Sequence, residues 1–508
     1  MKTTFYRLCA GTFLMAAPTL GYSLALDGEG HYGIKAESHR YPDARQQDRD
    51  WHQALDQSFR FQGELRLYDQ SSFFLEFRLF DDERAAYLGD TAATQDTVYP
   101  EYKPYQPKIT RAYIRHGFEY GIFEAGRRPR SWGMGLFLDA GDKPFQTGHS
   151  VYDGVSLNLN MQSFQSLGVT LGYDKLAETG QALYQGASFK YGPSLKNDDV
   201  DQIFLSLLYD SKKDGSAPGL SKKVGIYWAK VLSDDASKGG LGTNMDLVDL
   251  YLLGAYGAFS VESEFLLRRG SSSDPAMTRL GGASYEKDDP KKNTANSIGG
   301  SGEIKWEFAH SGAPFEEGEF AARGERSHQE LFLGYTYAPG DGNGYYDGAA
   351  GTAIGKDKRS EKAKAMAFHT NFKPALMLFH GRKEMDYLNR DGVFDSYRVM
   401  NANLWKLGYR YESSSIGTFE GAILKAILQE KMPQDVKDYY KTQPTKPVGY
   451  YGDDLGLEVD LKYTHTIASG VDIGASAAYL HPGQAFQVED KTKPSYGMLF
   501  ESHIAFHF

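Results

Sequence analysis

Arginine recurs in this chain at positions that a β-strand would turn to one side. From Ser58 to Tyr68, Arg60, Gln62, Glu64 and Arg66 alternate with Phe59, Phe61, Leu65 and Leu67. From Ser72 to Phe80, Glu76 and Arg78 alternate with Phe73, Leu75, Phe77 and Leu79. Arg111, Tyr113 and Arg115 share a third such face, backed by Ala112, Ile114 and Phe118. Arg127, Arg128 and Arg130 follow where a strand passes into its loop. Strand side chains point alternately to opposite faces, so each run has one charged and one apolar side. Guanidinium groups stay charged and grip carboxylates through paired hydrogen bonds; a ring of them around one space would favour anionic solutes. The same arginines would, on a second reading, pair with Glu64, Glu76, Glu119 or Glu124 and brace a wall. Both readings stay open on sequence alone.

The segment from Arg128 to Val151 carries Trp132, Met134, Leu136, Phe137 and Phe145, apolar residues that are out of place on an exposed loop. The expectation is that it folds inward and narrows a pore, with Trp132, Phe137 and Phe145 at the constriction. Packing against neighbouring loops is the alternative. Asp341-Gly-Asn-Gly-Tyr-Tyr-Asp347 alternates oxygen donors as calcium loops do, but Thr352 stands where an EF-hand needs its last Glu. His503 and His507 share a strand face, with His465 further off, yet at about 3.4 Å per residue they are too far apart for one metal ion. The chain holds no nucleophile elbow, phosphate loop or metalloprotease helix. His465 with an outward serine is the one hydrolase grouping it offers. No catalytic residue, cofactor or metal is expected, and the chain reads as a non-enzyme.

The elements that must position these residues are strands. Leu455, Leu457, Val459 and Leu461 alternate with Glu458, Asp460 and Lys462; after a short turn at Ile467 to Gly470, Val471, Ile473, Ala475, Ala477 and Tyr479 oppose Asp472, Gly474 and Ser476. Helical periodicity is absent. A charge in mid-strand is costly in a dry core, so the charged faces must meet water. In a soluble sandwich they would point outward; in a membrane barrel the polarity is inverted. Long polar or Gly-rich stretches run roughly over Arg84 to Pro107, Arg128 to Val151, Gly270 to Ser297, Gly340 to Glu361, Gly381 to Asp395 and Lys431 to Gly452. Loops of that size are uncommon inside compact domains but expected on one rim of a transmembrane barrel. The pattern yields about eighteen strands, with sixteen the alternative because Asn296 to Ala338 parses poorly. The fold class is all-β, a single transmembrane antiparallel β-barrel with long extracellular loops and short periplasmic turns.

Composition agrees. The chain has 35 Tyr, 30 Phe and 56 Gly among 508 residues, and its mean hydropathy of −0.50 suits a barrel in which only every second strand residue meets lipid. A formal net charge of −10 excludes a phosphate-neutralising surface, so nucleic acid is not an expected partner. Lys2 and Arg7, the apolar run Leu8 to Ala17 and the small residues Ser23-Leu-Ala25 form a signal peptide over 1–25, leaving 26–508 as the barrel. Cys9 is the only cysteine; it lies in that leader without a lipobox, so neither a lipid anchor nor a disulfide is expected.

Two resemblances sharpen this. In the final strand, Tyr496, Met498, Phe500, Ile504, Phe506 and Phe508 alternate with Gly497, Glu501, His503 and His507, which resembles the closing strand of bacterial outer-membrane β-barrels. That resemblance implies recognition by the barrel-insertion machinery and contact with outer-membrane lipid and lipopolysaccharide. Gly126-Arg-Arg-Pro-Arg-Ser-Trp-Gly-Met-Gly-Leu-Phe137 with Tyr152-Asp-Gly154, Leu333-Gly-Tyr-Thr-Tyr-Ala-Pro-Gly-Asp341, Leu455 to Leu461 and Tyr479 to Phe486 resemble segments of alginate-export-type porins. The likeness touches about a third of the chain and implies an even-stranded barrel, of eighteen strands in that family, passing solutes by diffusion. The resulting expectation is an outer-membrane channel for small hydrophilic solutes, anions or carbohydrates among them, lined by Arg60, Arg66, Arg78, Arg111, Tyr113, Arg115, Arg127, Arg128, Arg130, Glu64 and Glu76. A closed structural or adhesive barrel and an outer-membrane lipid hydrolase are the alternatives.

Overall fold

The structure is a computed structural model and describes residues 25–40, 51–68, 70–79, 84–87, 108–143, 145–146, 149–160, 166–177, 200–211, 220–233, 243–272, 293–311, 327–340, 362–363, 366–369, 371–379, 398–430, 452–468, 470–487 and 494–508. Residues 1–24, with Cys9, and the Asp341 to Asp347 segment lie outside them. The strands are β1 (Ala25–Arg40), β2 (His52–Tyr68), β3 (Ser71–Leu79), β4 (Lys108–Phe118), β5 (Gly121–Pro129), β6 (Val151–Asn160), β7 (Leu167–Ala177), β8 (Val200–Asp210) and β9 (Leu220–Ser233). They continue as β10 (Asn244–Tyr256), β11 (Phe259–Ser272), β12 (Asn293–Ser311), β13 (Ser327–Ala338), β14 (Ala402–Ser413), β15 (Gly417–Leu428), β16 (Asp454–Ala468), β17 (Val471–Pro482) and β18 (Gly497–His507). Two short strips, Arg84–Tyr87 and Lys362–Ala363, pair beside β2 and β12.

Each of the eighteen strands pairs antiparallel with its sequence neighbour, and β1 also pairs with β18, from His31 opposite His507 to Arg40 opposite Met498. The sheet is therefore closed and has no free edge to pair with another chain. Connections alternate between rims. On one rim lie the tight turns at 69–70, 119–120, 257–258, 414–416 and 469–470. On the other lie the long connections, including 80–107, 130–150, 178–199, 339–401 and 429–453. The poorly parsed Asn296 to Ala338 stretch resolves into β12 and β13, joined on the short-turn rim by 312–326. The Gly270 to Ser297 loop expectation was too long at both ends, because β11 runs to Ser272 and β12 starts at Asn293. The separate loops expected at Gly340 to Glu361 and Gly381 to Asp395 belong to one connection, interrupted by a buried segment at 366–379.

The polarity of this barrel is inverted relative to a water-soluble one. Leu333, Leu407 and Ile423, opposite one another on β13, β14 and β15, are 53%, 56% and 51% exposed. On the other parity Asp249, Glu264, Arg268 and Glu458 are at most 1% exposed. Aromatic residues flank the outward apolar band at both rims. Tyr335–Trp405 and Tyr479–Tyr496 stand towards the long loops, and Phe259–Trp306 and Phe308–Tyr409 towards the short turns. Apolar outside, charged inside and aromatic at both edges is the arrangement a lipid bilayer selects. Among the described residues no helix is long and apolar enough to cross a membrane.

Candidate functional site: the lumen and its two inward segments

The 130–150 connection folds into the barrel as a strap. Near its start, Trp132 lies against Tyr227 of β9 with ring centroids 5.7 Å apart. It enters where Gly225 leaves room, since a Cβ there would meet the indole at 2.8 Å. The N–H groups of Met134 and Leu136 then donate to the Glu264 carboxylate on β11, the latter at 3.2 Å. Gly133, Gly135 and Gly141 adopt positive φ, which lets the chain reverse in a narrow space. Returning, the strap offers the carbonyls of Ala140, Gly141 and Asp142 to Arg111, Arg78 and Arg60 at 3.0, 3.0 and 2.7 Å. Beyond these, the Phe145 ring stands 5.8 Å from that of His503 on β18. One loop thus touches the wall at β9–β11, at β2–β4 and at the β18–β1 seam.

The 366–379 segment covers the remaining sector. Leu376, Met377 and Leu378 donate their N–H groups to Glu458 on β16 at 2.8, 2.6 and 2.9 Å, and Leu376 also to Asp460 at 3.1 Å. Phe368, Met377, Leu378 and Phe379 pack on the inward apolar residues Phe332, Leu404, Leu424 and Leu480. This dry core lies inside the barrel, so the upper lumen is filled on the β13–β17 side. The two segments are clasped together. His369 donates its N–H to the Leu136 carbonyl at 2.7 Å, and Asn371 donates to Asp139 at 3.2 Å.

That clasp includes a Ser–His–Asp grouping, Ser150, His369 and Asp139, but it is not wired for nucleophilic catalysis. The His369 Nδ1 accepts the Asn371 N–H at 3.2 Å, so its Nε2–H donates to Ser150 Oγ, 3.2 Å away. The imidazole therefore cannot take the serine proton, and the serine is buried. Burial pushes the His369 imidazole down to about 4; His149, Lys373 and Arg398 push the same way and Asp139 opposes them. His465, the other hydrolase candidate, stacks on Tyr463.

The arginines singled out in the sequence separate into groups. Arg60, Arg78 and Arg111 are brought together along the strap. Arg78 pairs with Glu76 at 2.7 Å, and Arg111 with Glu76 at 3.5 Å and with Asp142. For Arg60 the Asp142 carboxylate stands at 3.9 Å. Arg115 sits below them, paired with Glu124 at 2.9 Å and lying over Phe74, whose ring stacks on Tyr113. Arg128 and Arg130 both bind Asp174 at the root of the strap, at 2.6 and 3.1 Å. Arg66 lies by the short-turn rim with Asp27 at 2.9 Å and Glu64 at 4.0 Å. Arg127 has the outward parity of Phe123 and pairs with Asp153 on the outer face at 2.8 Å. Trp132 and Phe137 pack against a buried cluster that includes Tyr227, and like Phe145 they are themselves half-buried.

Several inward groups escaped the sequence reading. Lys35 of β1 stands 3.0 Å from Asp56 and 3.7 Å from both Glu37 and Glu501. Beneath the 366–379 segment, Arg410 bridges Glu330 and Glu420 at 2.7 Å each, and Lys406 reaches Glu420 at 3.3 Å. Both sets alternate with apolar residues, as in Ile34-Lys35-Ala36 and Leu407-Gly-Tyr-Arg410, so the same period-two test reaches them. The anchoring role of Glu264 and Glu458 had no such signal.

No protein-family model matches the chain, and no curated protein matches it. Among solved structures it is similar to OprD from Pseudomonas aeruginosa, at 11% identity, covering 95% of this chain and 94% of that one with a TM-score of 0.45. It is also similar to OccK2 (OpdF) of the same organism, at 10% identity over 95% and 97% of the two chains with a TM-score of 0.48. OccAB4 of Acinetobacter baumannii shares 10% identity over 96% and 100%, with a TM-score of 0.45. At these identities and scores the likeness assigns neither family nor solute.

Proposed function

We propose that this chain is a passive diffusion channel of the bacterial outer membrane for small hydrophilic solutes, with a preference for anions and with carbohydrates within its range. The observation that carries the reading is the inverted polarity of the closed barrel: charged residues face the lumen and apolar residues face outward between two aromatic girdles. A barrel so built is stable only in lipid, and a lumen so charged is stable only when wet or ion-paired. The reading places the route in the polar sector of the lumen on the β18–β4 side, since the β13–β17 side is filled by apolar side chains. The anion preference rests above all on Arg60, whose carboxylate neighbour Asp142 stands at 3.9 Å. Arg78, Arg111, Arg115, Arg128 and Arg130 carry closer carboxylate partners, and Arg127 lies on the outer face. The same reading takes in a cleaved leader over 1–25, insertion through the C-terminal strand, lipopolysaccharide around the long-loop rim and the motif likeness to alginate-export-type porins.

The test is single-channel conductance of the refolded protein in a planar bilayer, with ion selectivity from a salt gradient. Ohmic conductance with anion preference that falls in an Arg60→Ala, Arg111→Ala double variant, and not in Arg127→Ala, is the expected result. A folded barrel without conductance would favour the closed structural or adhesive reading, towards which the dry core inside the barrel points.

A further inference from the structure

Arg127 begins a row of charges on the outer face. Asp153 of β6 stands opposite it, Lys175 of β7 opposite Asp153, and Asp201 of β8 opposite Lys175, all in direct register. On β9, Lys230 lies diagonally across from Asp201. Asp246 of β10 stands opposite Lys230, and Arg269 of β11 opposite Asp246. The signs alternate over seven neighbouring strands of the eighteen, a ladder round more than a third of the barrel. Val155, Tyr173, Ile203 and Trp228, exposed on the same parity, lie two residues nearer the midplane than Asp153, Lys175, Asp201 and Lys230. The ladder therefore sits one step above the apolar band, on the long-loop side, where lipid tails give way to headgroups.

Stability does not account for the row, since exposed ion pairs add little. Arg127 and Asp153 stay 48% and 51% exposed although two hydrogen bonds, at 3.0 and 2.8 Å, join them. Lys230 meets Asp246 at 2.9 Å, and both remain partly exposed. Whatever covers such a row must alternate in sign and follow a convex wall. A second barrel is itself convex and would touch a few strands, not seven. A headgroup layer wraps. Strands lie about 4.8 Å apart, so like charges recur roughly every 10 Å along the rim. We infer that the β5–β11 arc binds the phosphorylated glycolipid headgroups of the outer leaflet together with their bridging divalent cations. Arg127, Lys175, Lys230 and Arg269 take phosphate oxygens in charge-assisted hydrogen bonds. The aspartates between them share the divalent cations that link one phosphate to the next. This rests on the outer-membrane reading and assigns its lipid contact to one arc and one chemistry.

The experiment measures lipid A retained per barrel by native mass spectrometry after detergent washing with magnesium present. It compares the wild type with a variant carrying Arg127→Gln, Lys175→Gln, Lys230→Gln and Arg269→Gln. A second variant carries Asp153→Asn, Asp201→Asn and Asp246→Asn, and Lys425→Gln, a cation on the outer face outside the ladder, is the control. Each is first shown to be folded by its heat-shifted gel mobility. The wild type and the control are expected to retain phosphorylated lipid A, and the cation variant several-fold less. A chelator should strip lipid from the wild type and have little effect on the aspartate variant, which also tests the ladder should the cation variant not fold. Equal retention by wild type and cation variant, or equal chelator loss from wild type and aspartate variant, would overturn the assignment. So would wild-type retention of dephosphorylated lipid A to the same extent, or an oligomer that the cation variant loses with retention unchanged. Conductance of the same preparations tests the channel separately: lipid bound without current would sink the channel and leave the ladder standing, and the reverse result the opposite.

Discussion

His369 joins the strap to the 366–379 segment through its ring and its backbone N–H, and its titration ties that junction to pH. Released into water the imidazole would take a proton near the usual 6.5; docked, it resists protonation down to about 4. Between those values the undocked state binds more protons, so docking is at full strength above pH 6.5, weakens as pH falls towards 4 and levels off below it. Strap cleavage by an acid-tolerant protease, or current noise, is therefore expected to rise across that window in the wild type and to stay flat in His369→Asn. An equal rise in the variant would assign the titration to another group. Period-two patterning cannot reveal such a residue, because His369 lies in a connection and its partners Ser150 and Asp139 are more than two hundred positions away.

At the scale of elements, the strands follow from alternation alone, whereas the connections do not. Leu455 to Lys462 or Phe73 to Leu79 specify which side chains share a face whatever the rest of the chain does. The 366–379 segment, with Ala375-Leu-Met-Leu-Phe379, looks like a short strand in sequence, yet it pairs with no barrel strand and spends its N–H groups on Glu458 and Asp460. Glu458→Ala removes a buried acceptor of three amides, and each buried donor left without a partner costs about 1–3 kcal/mol. The segment is expected to undock while the barrel persists. Limited proteolysis within 366–379 should increase several-fold with gel mobility unchanged; an unaltered cleavage pattern would mean that apolar packing alone holds the segment.

For the whole molecule the decisive property is the side on which water lies. Leu407 stands in mid-strand on the outer face, between Leu333 and Ile423. If that face meets lipid, Leu407→Arg should destabilise the barrel by about 2–4 kcal/mol, the cost of a cation near the bilayer midplane. If it meets water, the change should stay within roughly 0.5 kcal/mol, as at ordinary surface sites. Reversible denaturant unfolding from lipid vesicles measures the difference. A small value would sink the transmembrane reading and the channel proposal with it.

What the sequence by itself determined is local and periodic. Alternation assigns each strand its two faces, glycine and polar runs mark the turns, and the number of such runs gives the strand count, because strand geometry repeats every two residues. Which face became the interior, and where the 130–150 and 366–379 connections went, only the tertiary structure decided. Closure of β1 on β18 made the charged parity internal. Partners far apart in sequence, such as Glu264 with Met134 and Glu458 with Met377, drew the two segments into the lumen. Arg127 and Arg128 are neighbours in the chain, yet one pairs with Asp153 outside and the other with Asp174 within. Adjacent strand residues point opposite ways, and only the curvature of the closed sheet tells which way is in.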